Sequence, residues 1–245
     1  MLKIFVTGDN HFGKRYANHP AKDRIIEERY IAFERAVAAA NEEKCGLFAV
    51  TGDLFDECSV SKKTIKRTVE ILSGFTGDVV VLPGNHDPYT EDSKLWEQFK
   101  EESAKCGKIT LLCEYKPYTF DIDGDEAVIY PAFCDERHSE SSNRLDWIKN
   151  TEIPSGKEYH IGMAHGAVLG ESLDSEGRYF PISRDELYDI PVDAWLIGHT
   201  HVPFPRELPE ELSPTKERIF NPGTHSQTDV SNNTEGDCFI IELDE

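Results

Sequence analysis

Five apolar runs of strand length punctuate the chain, and each ends in a short polar loop carrying Asp, Asn or His. They are Ile4-Phe5-Val6 into Gly8-Asp9-Asn10-His11, Leu47-Phe48-Ala49-Val50 into Gly52-Asp53, Val79-Val80-Val81-Leu82 into Gly84-Asn85-His86-Asp87, Ile161-Gly162-Met163 into His165-Gly166, and Ala194-Trp195-Leu196-Ile197 into Gly198-His199-Thr200-His201. Such runs lack polar alternation, as expected of parallel strands buried on both faces. Between the first runs the period changes to helical. Asp23 to Lys44 places Ile26, Tyr30, Phe33 and Val37 on one face; Ser61 to Leu72 does so with Ile65, Val69 and Leu72; Ser93 to Lys105 with Leu95, Trp96 and Phe99. Strand, helix, strand, helix, strand builds right-handed parallel crossovers.

From Ile109 the pattern shifts to short strands separated by turns, Ile109–Leu112, Tyr118–Ile122 and Ala127–Tyr130, with Asp123-Gly124 as a hairpin turn between the last two. This shift predicts a second, mixed or antiparallel sheet that begins there. Ser183 with Glu186 forms a capping-box pattern for a short helix before the strand that presents His199. Two further strands, Arg218 to Asn221 and Cys238 to Leu243, flank the loop Pro222-Gly223-Thr224-His225. The expected fold is α/β, a four-layer α-β-β-α sandwich of two mixed sheets flanked by helices, forming one domain over residues 1–245 without a linker.

Ligands of parallel sheets collect beyond the carboxyl ends of the strands, where all five polar loops lie. Mixed Asp, His and Asn donors favour Mn²⁺, Fe²⁺ or Zn²⁺ over Mg²⁺, which prefers oxygen ligands and keeps its waters. The loops offer no thiolate, which argues against a structural zinc site. Seven donors suffice for two ions if one carboxylate is shared, and Asp53, at the end of a central strand, is the natural bridge. Two ions roughly 3.5–4 Å apart generate hydroxide at neutral pH and clamp the attacking and leaving oxygens of an in-line displacement at phosphorus.

Composition sets bounds on this chemistry. With 26 Lys and Arg against 46 Asp and Glu the net charge is −20, which opposes non-specific adhesion to nucleic acid or anionic membrane. Bound cations would offset part of that charge, and the local field governs a site more than the total does. Lys14-Arg15 and Lys62, Lys63, Lys66 and Arg67 gather near the first two loops, the second group reading as a solvated helix face. No segment approaches the ~18 apolar residues of a membrane span. The start, Met1-Leu2-Lys3-Ile4, lacks a secretory apolar region, so a cytoplasmic location is expected. Cys45, Cys58, Cys106, Cys113, Cys134 and Cys238 contain no CxxC pair and read as reduced thiols.

The order Asp-x-His, Gly-Asp, Gly-Asn-His-Asp, His, Gly-His-x-His resembles that of the calcineurin-like metallophosphoesterase superfamily, from Asp9 to His201. The resemblance implies a first metal held by Asp9, His11, Asp53 and His201 and a second held by Asp53, Asn85, His165 and His199. It makes His86 the catalytic histidine that stabilises the transition state and protonates the leaving oxygen. Asp87, next to His86, and Asp56 read equally as carboxylates that orient the site's histidines or as carboxylates that cap their own loops. Gly52-Asp53-Leu54-Phe55-Asp56, Leu196 to His201 and Asn221-Pro222-Gly223-Thr224 are further similar to the SbcD-like nuclease subunits of DNA double-strand-break repair complexes. That likeness implies two Mn²⁺ ions, a DNA or other phosphodiester substrate, exonuclease or endonuclease action and a homodimer. Those nucleases continue into a DNA-capping domain and a segment that binds an ATPase. The sequence stops at Glu245, after its last expected strand, so neither a capping domain nor the ATPase partner is expected.

The same residues also suit a phosphatase or phosphodiesterase of small phosphate esters, nucleotides or phosphoproteins, which the acidity favours. A third reading is a scaffold of the same fold, as in the retromer subunit that resembles the superfamily; such scaffolds lose the histidine that stands here as His86. His19, His138 and His160 read as surface or core residues and His225 as a loop residue. Tyr16, Tyr179 and Phe180 read as packing residues, with stacking on a nucleobase as the competing role.

Overall fold

The computed structural model describes residues 1–156, 158–170, 177–206, 216–227 and 236–244. The first sheet joins β1 (Leu2–Thr7), β2 (Leu47–Val50), β3 (Asp78–Val81) and β4 (Ile109–Leu111) in parallel, with β10 (Phe239–Leu243) antiparallel to β1 at the opposite edge. The second sheet pairs β5 (Tyr118–Ile122) antiparallel to β6 (Asp125–Ala132), then continues in parallel through β7 (Tyr159–His165), β8 (Ala194–Gly198) and β9 (Ile219–Phe220).

Alternation along each strand sorts side chains into layers. Leu2, Ile4, Val6, Leu47, Ala49 and Val80 of the first sheet meet Ile129, Ile161, Met163, Ala194 and Leu196 of the second in the central core. Their sequence neighbours Phe5, Phe48, Val79 and Val81 face outward onto α1 (Lys22–Glu42), α2 (Lys62–Leu72) and α3 (Lys94–Ser103). On the far side Val128, Tyr130, Trp195 and Ile197 pack beneath α4 (Asp146–Lys149) and α5 (Arg184–Asp189). The expected α-β-β-α sandwich of two mixed sheets is the observed fold.

Three local details refine the expectation. Ile109–Leu111 belongs to the first sheet as its parallel edge strand, not to the second, because α3 returns the chain alongside β3. Asp123 (φ 57°) and Gly124 (φ 92°) both take the left-handed conformations that the predicted two-residue hairpin turn needs. Ser183 accepts from the Glu186 backbone N–H while the Glu186 carboxylate accepts from that of Ser183, closing the capping box on α5.

Candidate functional site

Beyond the carboxyl ends of β1 and β2 the two loops stay paired. Asp9 N–H donates to Gly52 O at 3.0 Å, His11 N–H to Asp53 O at 2.9 Å, Phe12 N–H to Leu54 O at 2.9 Å, and Asp56 N–H returns to Phe12 O at 3.0 Å. This ladder satisfies the backbone of a buried loop pair, which would otherwise leave polar groups stranded. It also holds side-chain-bearing residues in a conformation they rarely adopt, with φ 49° at Asp9, 47° at His11 and 50° at Asp53; on the loop after β8, His199 has φ 104°. Each such residue costs about 1–3 kcal/mol and persists where the surroundings enforce it, as at functional sites. Gly84 lets the third loop approach, since a Cβ there would lie 2.2 Å from Asp53 Oδ1 and 2.4 Å from its backbone nitrogen.

The seven residues expected to be ligands come together from both sheets. On one side His11 Nε2 lies 3.1 Å from His201 Nε2, and Asp9 Oδ1 lies 3.5 Å from the same His201 nitrogen. On the other, His165 Nε2 and His199 Nδ1 each lie 3.0 Å from Asn85 Oδ1. Asp53 stands between: its Oδ2 is 3.4 Å from His165 Nε2 and 3.8 Å from His11 Nε2, while Oδ1 accepts the His86 backbone N–H at 2.8 Å. His165 Nδ1 donates to the carbonyl of Thr51 at 2.9 Å, a pure acceptor, which fixes the ring with Nε2 turned inward toward Asn85 and Asp53. Asp9 Oδ2 accepts the His199 backbone N–H at 3.0 Å, tying the first loop to the fifth.

His86 is exposed at the edge of this cluster, its ring 4.7 Å from that of His11 at 87°. Its Nδ1 donates to the backbone carbonyl of Asp56 at 3.0 Å. Of the two roles open to Asp87, orienting His86 or capping its loop, the structure shows the second. The Asp87 carboxylate turns inward and accepts from Phe55 N–H at 2.8 Å and Gly84 N–H at 2.7 Å, so it ties the second and third loops together. Asp56 does reach a candidate ligand, with Oδ1 3.3 Å from His11 Nδ1.

Buried charge dominates the electrostatics. Burial works to raise the Asp53 carboxyl, yet His165, His11 and His86 hold it well below the usual carboxylate range; burial likewise opposes the lowering of Asp9 by His201 and His165. Burial works to lower His165, but Asp53 and then Asp9 push it up to about 9. His11 is lowered by burial, and His199 is brought to about 4 by burial and the His165 charge. The Asp87 carboxyl is pushed up to about 8 by burial and by Asp53, against its two backbone donors.

These residues fit divalent cations. Asp9 Oδ1 is buried without a hydrogen bond, and imidazole nitrogens face one another across 3.1 Å. Asp9 with His11 and His201, Asp9 with Asp53 and His165, and His11 with Asp53 and His86 each offer ligand atoms within 4.8 Å of one another. The pull of Asp9 and Asp53 on a proton at His165 marks where positive charge is favoured.

Around this centre the aromatic residues are occupied in packing. Phe180 is 1% exposed and lies beneath the Arg144 guanidinium, and Tyr16 accepts from Arg29 at 3.2 Å. Tyr179 packs between His138 (5.1 Å) and His199 (5.0 Å), an aromatic neighbour of a candidate ligand that no spacing announced. Arg67 is committed to Glu27 through bonds of 2.7 and 2.6 Å, and Lys66 pairs with Glu70, as a solvated helix face would be. His160 is a core residue bonded to Tyr130 OH at 3.1 Å, and His19 and His138 lie toward the surface. His225 is buried behind the first loop, where burial and Arg29 lower it to about 3.

Comparison with known proteins identifies the architecture. The chain is 28% identical over 195 residues to a Bacillus subtilis (strain 168) protein named uncharacterized metallophosphoesterase YhaO, across 78% of this chain and 45% of that one. It is 22% identical over 265 residues to the double-strand break repair protein MRE11 of Encephalitozoon cuniculi (strain GB-M1), across 98% of this chain and 41% of that one. The chain therefore spans less than half the length of either relative. Among solved structures, the protein TT1561 of Thermus thermophilus superposes with a TM-score of 0.54 at 12% identity, covering 91% of this chain and 90% of that one. A dimetal phosphatase from Danio rerio superposes with a TM-score of 0.52 at 12% identity, covering 90% and 86%. The model of the calcineurin-like phosphoesterases, a family of metal-dependent hydrolases with dinuclear centres, matches residues 2–203, and the chain belongs to that family.

Proposed function

We propose that the chain is a dinuclear-metal phosphodiesterase that cleaves DNA, at ends or on single strands, with Mn²⁺ as its ion. The observation that carries the reading is His86, anchored by Nδ1 on the Asp56 carbonyl and exposed beside the donor cluster, which leaves Nε2 to meet a substrate oxygen. Asp9, His11, Asp53 and His201 would hold one ion and Asp53, Asn85, His165 and His199 the other. Bound there, the pair supplies Lewis acidity at phosphorus and makes water nucleophilic at neutral pH. The chain's own groups do the rest. The His86 backbone N–H fixes Asp53 Oδ1 and turns Oδ2 toward both halves of the cluster. His86, through Nε2–H, would hydrogen-bond the charge developing on phosphoryl oxygen and pass that proton to the leaving alkoxide.

Similarity to MRE11 across 98% of the chain supports DNA as the substrate. The net charge of −20 favours a second reading, hydrolysis of small phosphate esters. End-labelled single- and double-stranded DNA incubated with Mn²⁺ and wild type or His86→Ala, beside a nitrophenyl monoester and diester, separates the two. Cleavage of DNA by wild type, lost in His86→Ala with metal content unchanged, is expected. Strong preference for the monoester, with no DNA cleavage, refutes the nuclease reading and supports the second.

A further inference from the structure

The loop bearing Asp9 and His11 is gripped from behind by groups that take no part in the proposed chemistry. Asn10, between the two left-handed residues, has its side chain wholly buried. Its amide donates to Thr7 Oγ1 at 3.1 Å and to His225 Nδ1 at 2.9 Å. His225 Nε2 faces the backbone carbonyl of Arg29 at 3.1 Å, which can only accept, so the proton sits on Nε2 and the Nδ1 lone pair is turned to Asn10. The two carbonyls of the strained turn are held as well: that of Asp9 by Thr224 Oγ1 at 3.0 Å, that of Asn10 by Arg29 Nη2.

Arg29 is the unusual member. It is 2% exposed, on α1, and its guanidinium bonds Tyr16 OH at 3.2 Å and the carbonyls of Asn10, Ser226 (3.3 Å) and Gln227 (3.1 Å). Among the described residues no carboxylate makes an ion pair with it. A buried cation held by dipoles alone is costly, and what distinguishes this one is convergence. One rigid fork collects carbonyls from the first ligand loop and from the loop that carries Thr224 and His225.

We infer that Arg29 and His225 are positioning residues for the first metal: they lock the turn that aims Asp9 and His11, and their own hydrogen bonds go to Asn10, Tyr16 and the loop after Thr224, the second set being reached only through the Asp9 bond to the His199 N–H. The inference rests on the dinuclear reading above. Loosening the grip then lowers the affinity of the first site more than that of the second, a selectivity that general destabilisation would not produce.

The test is calorimetric titration of metal-stripped protein with Mn²⁺, comparing wild type with Arg29→Lys, His225→Ala and His225→Gln. Arg29→Lys keeps the charge and loses the fork, whereas Gln can restore both bonds of His225. Wild type should bind two ions. Arg29→Lys and His225→Ala should each bind one ion about 10–100-fold more weakly, as for changes behind a metal ligand, with the other weakened less and His225→Gln closer to wild type. Equal weakening of both sites, or no change in variants whose circular dichroism matches wild type, overturns the inference alone. Wild type binding fewer than two ions overturns the dinuclear reading and this inference with it. If Arg29→Lys does not fold, the two His225 variants carry the decision.

Discussion

Replacing Asp87 with Ala removes the acceptor that joins the second and third ligand loops. Both carboxylate oxygens are used, on Phe55 N–H at 2.8 Å and Gly84 N–H at 2.7 Å, and the residue is fully buried. The substitution leaves two buried N–H groups without partners, at about 1–3 kcal/mol each, so on the order of 4 kcal/mol in all. For a chain of 245 residues each kcal/mol shifts the melting temperature by about 2–4 °C, which gives a drop on the order of 10 °C. Asp87→Asn keeps one acceptor oxygen and turns an NH₂ group against the other donor, so it should fall between Ala and wild type. The assay is thermal denaturation followed by circular dichroism with chelator present, so that lost metal cannot account for the change. Melting of Asp87→Ala within about 2 °C of wild type would refute the assignment of Asp87 as a structural tie. A melt unchanged together with an altered pH–rate profile would restore the role of orienting His86.

Asp53→Asn should weaken both ions together, because its Oδ2 faces both halves of the cluster, and Mn²⁺ titration beside the His86→Ala protein, which should keep both, reads the difference. Ser61→Ala should cost about 1 kcal/mol, since its hydroxyl caps α2 by accepting from Thr64 N–H at 3.1 Å. Ser93→Ala should cost little in the same chelated melts, because Ser93 makes no side-chain cap on α3. Burial pushes the thiols of Cys45 and Cys238 up to about 11 and about 12, so at pH 8 both stay protonated and should resist a disulfide reagent until the protein is denatured. Prompt native labelling of Cys45 would contradict the packing around it.

Most of the fold was legible because its strands are buried on both faces. A run such as Val79-Val80-Val81 has no helical or alternating reading that leaves it soluble, and its polar termination marks the carboxyl end of a parallel strand. Ile109–Leu111 was misassigned for a related reason. Its length and flanking turns match those of the strands after it, and nothing local encodes whether α3 returns the chain to the first sheet or releases it to the second. That choice is made by Leu95, Trp96 and Phe99, which pack α3 into the outer core of the first sheet.

The site divides in the same way. Residue types and order brought Asp9, His11, Asp53, Asn85, His165, His199 and His201 into one group, since all lie at the carboxyl ends of strands, β1 to β3 in the first sheet and β7 and β8 in the second. What order does not encode is which way a side chain turns once a neighbouring backbone group needs a partner. Asp87 follows His86 and could have faced it, but the buried N–H groups of Phe55 and Gly84 compete for the same oxygens and leaving them unpaired costs more than an exposed imidazole without a carboxylate. His225 reads from the sequence only as a loop residue because its partners are Asn10 and the carbonyl of Arg29, far apart in sequence and neither marked by spacing. In both cases the backbone of a strained loop dictated the outcome. Side chains near such loops are therefore better read by asking which buried N–H and C=O groups the loop leaves open, and only then what chemistry the side chain could perform.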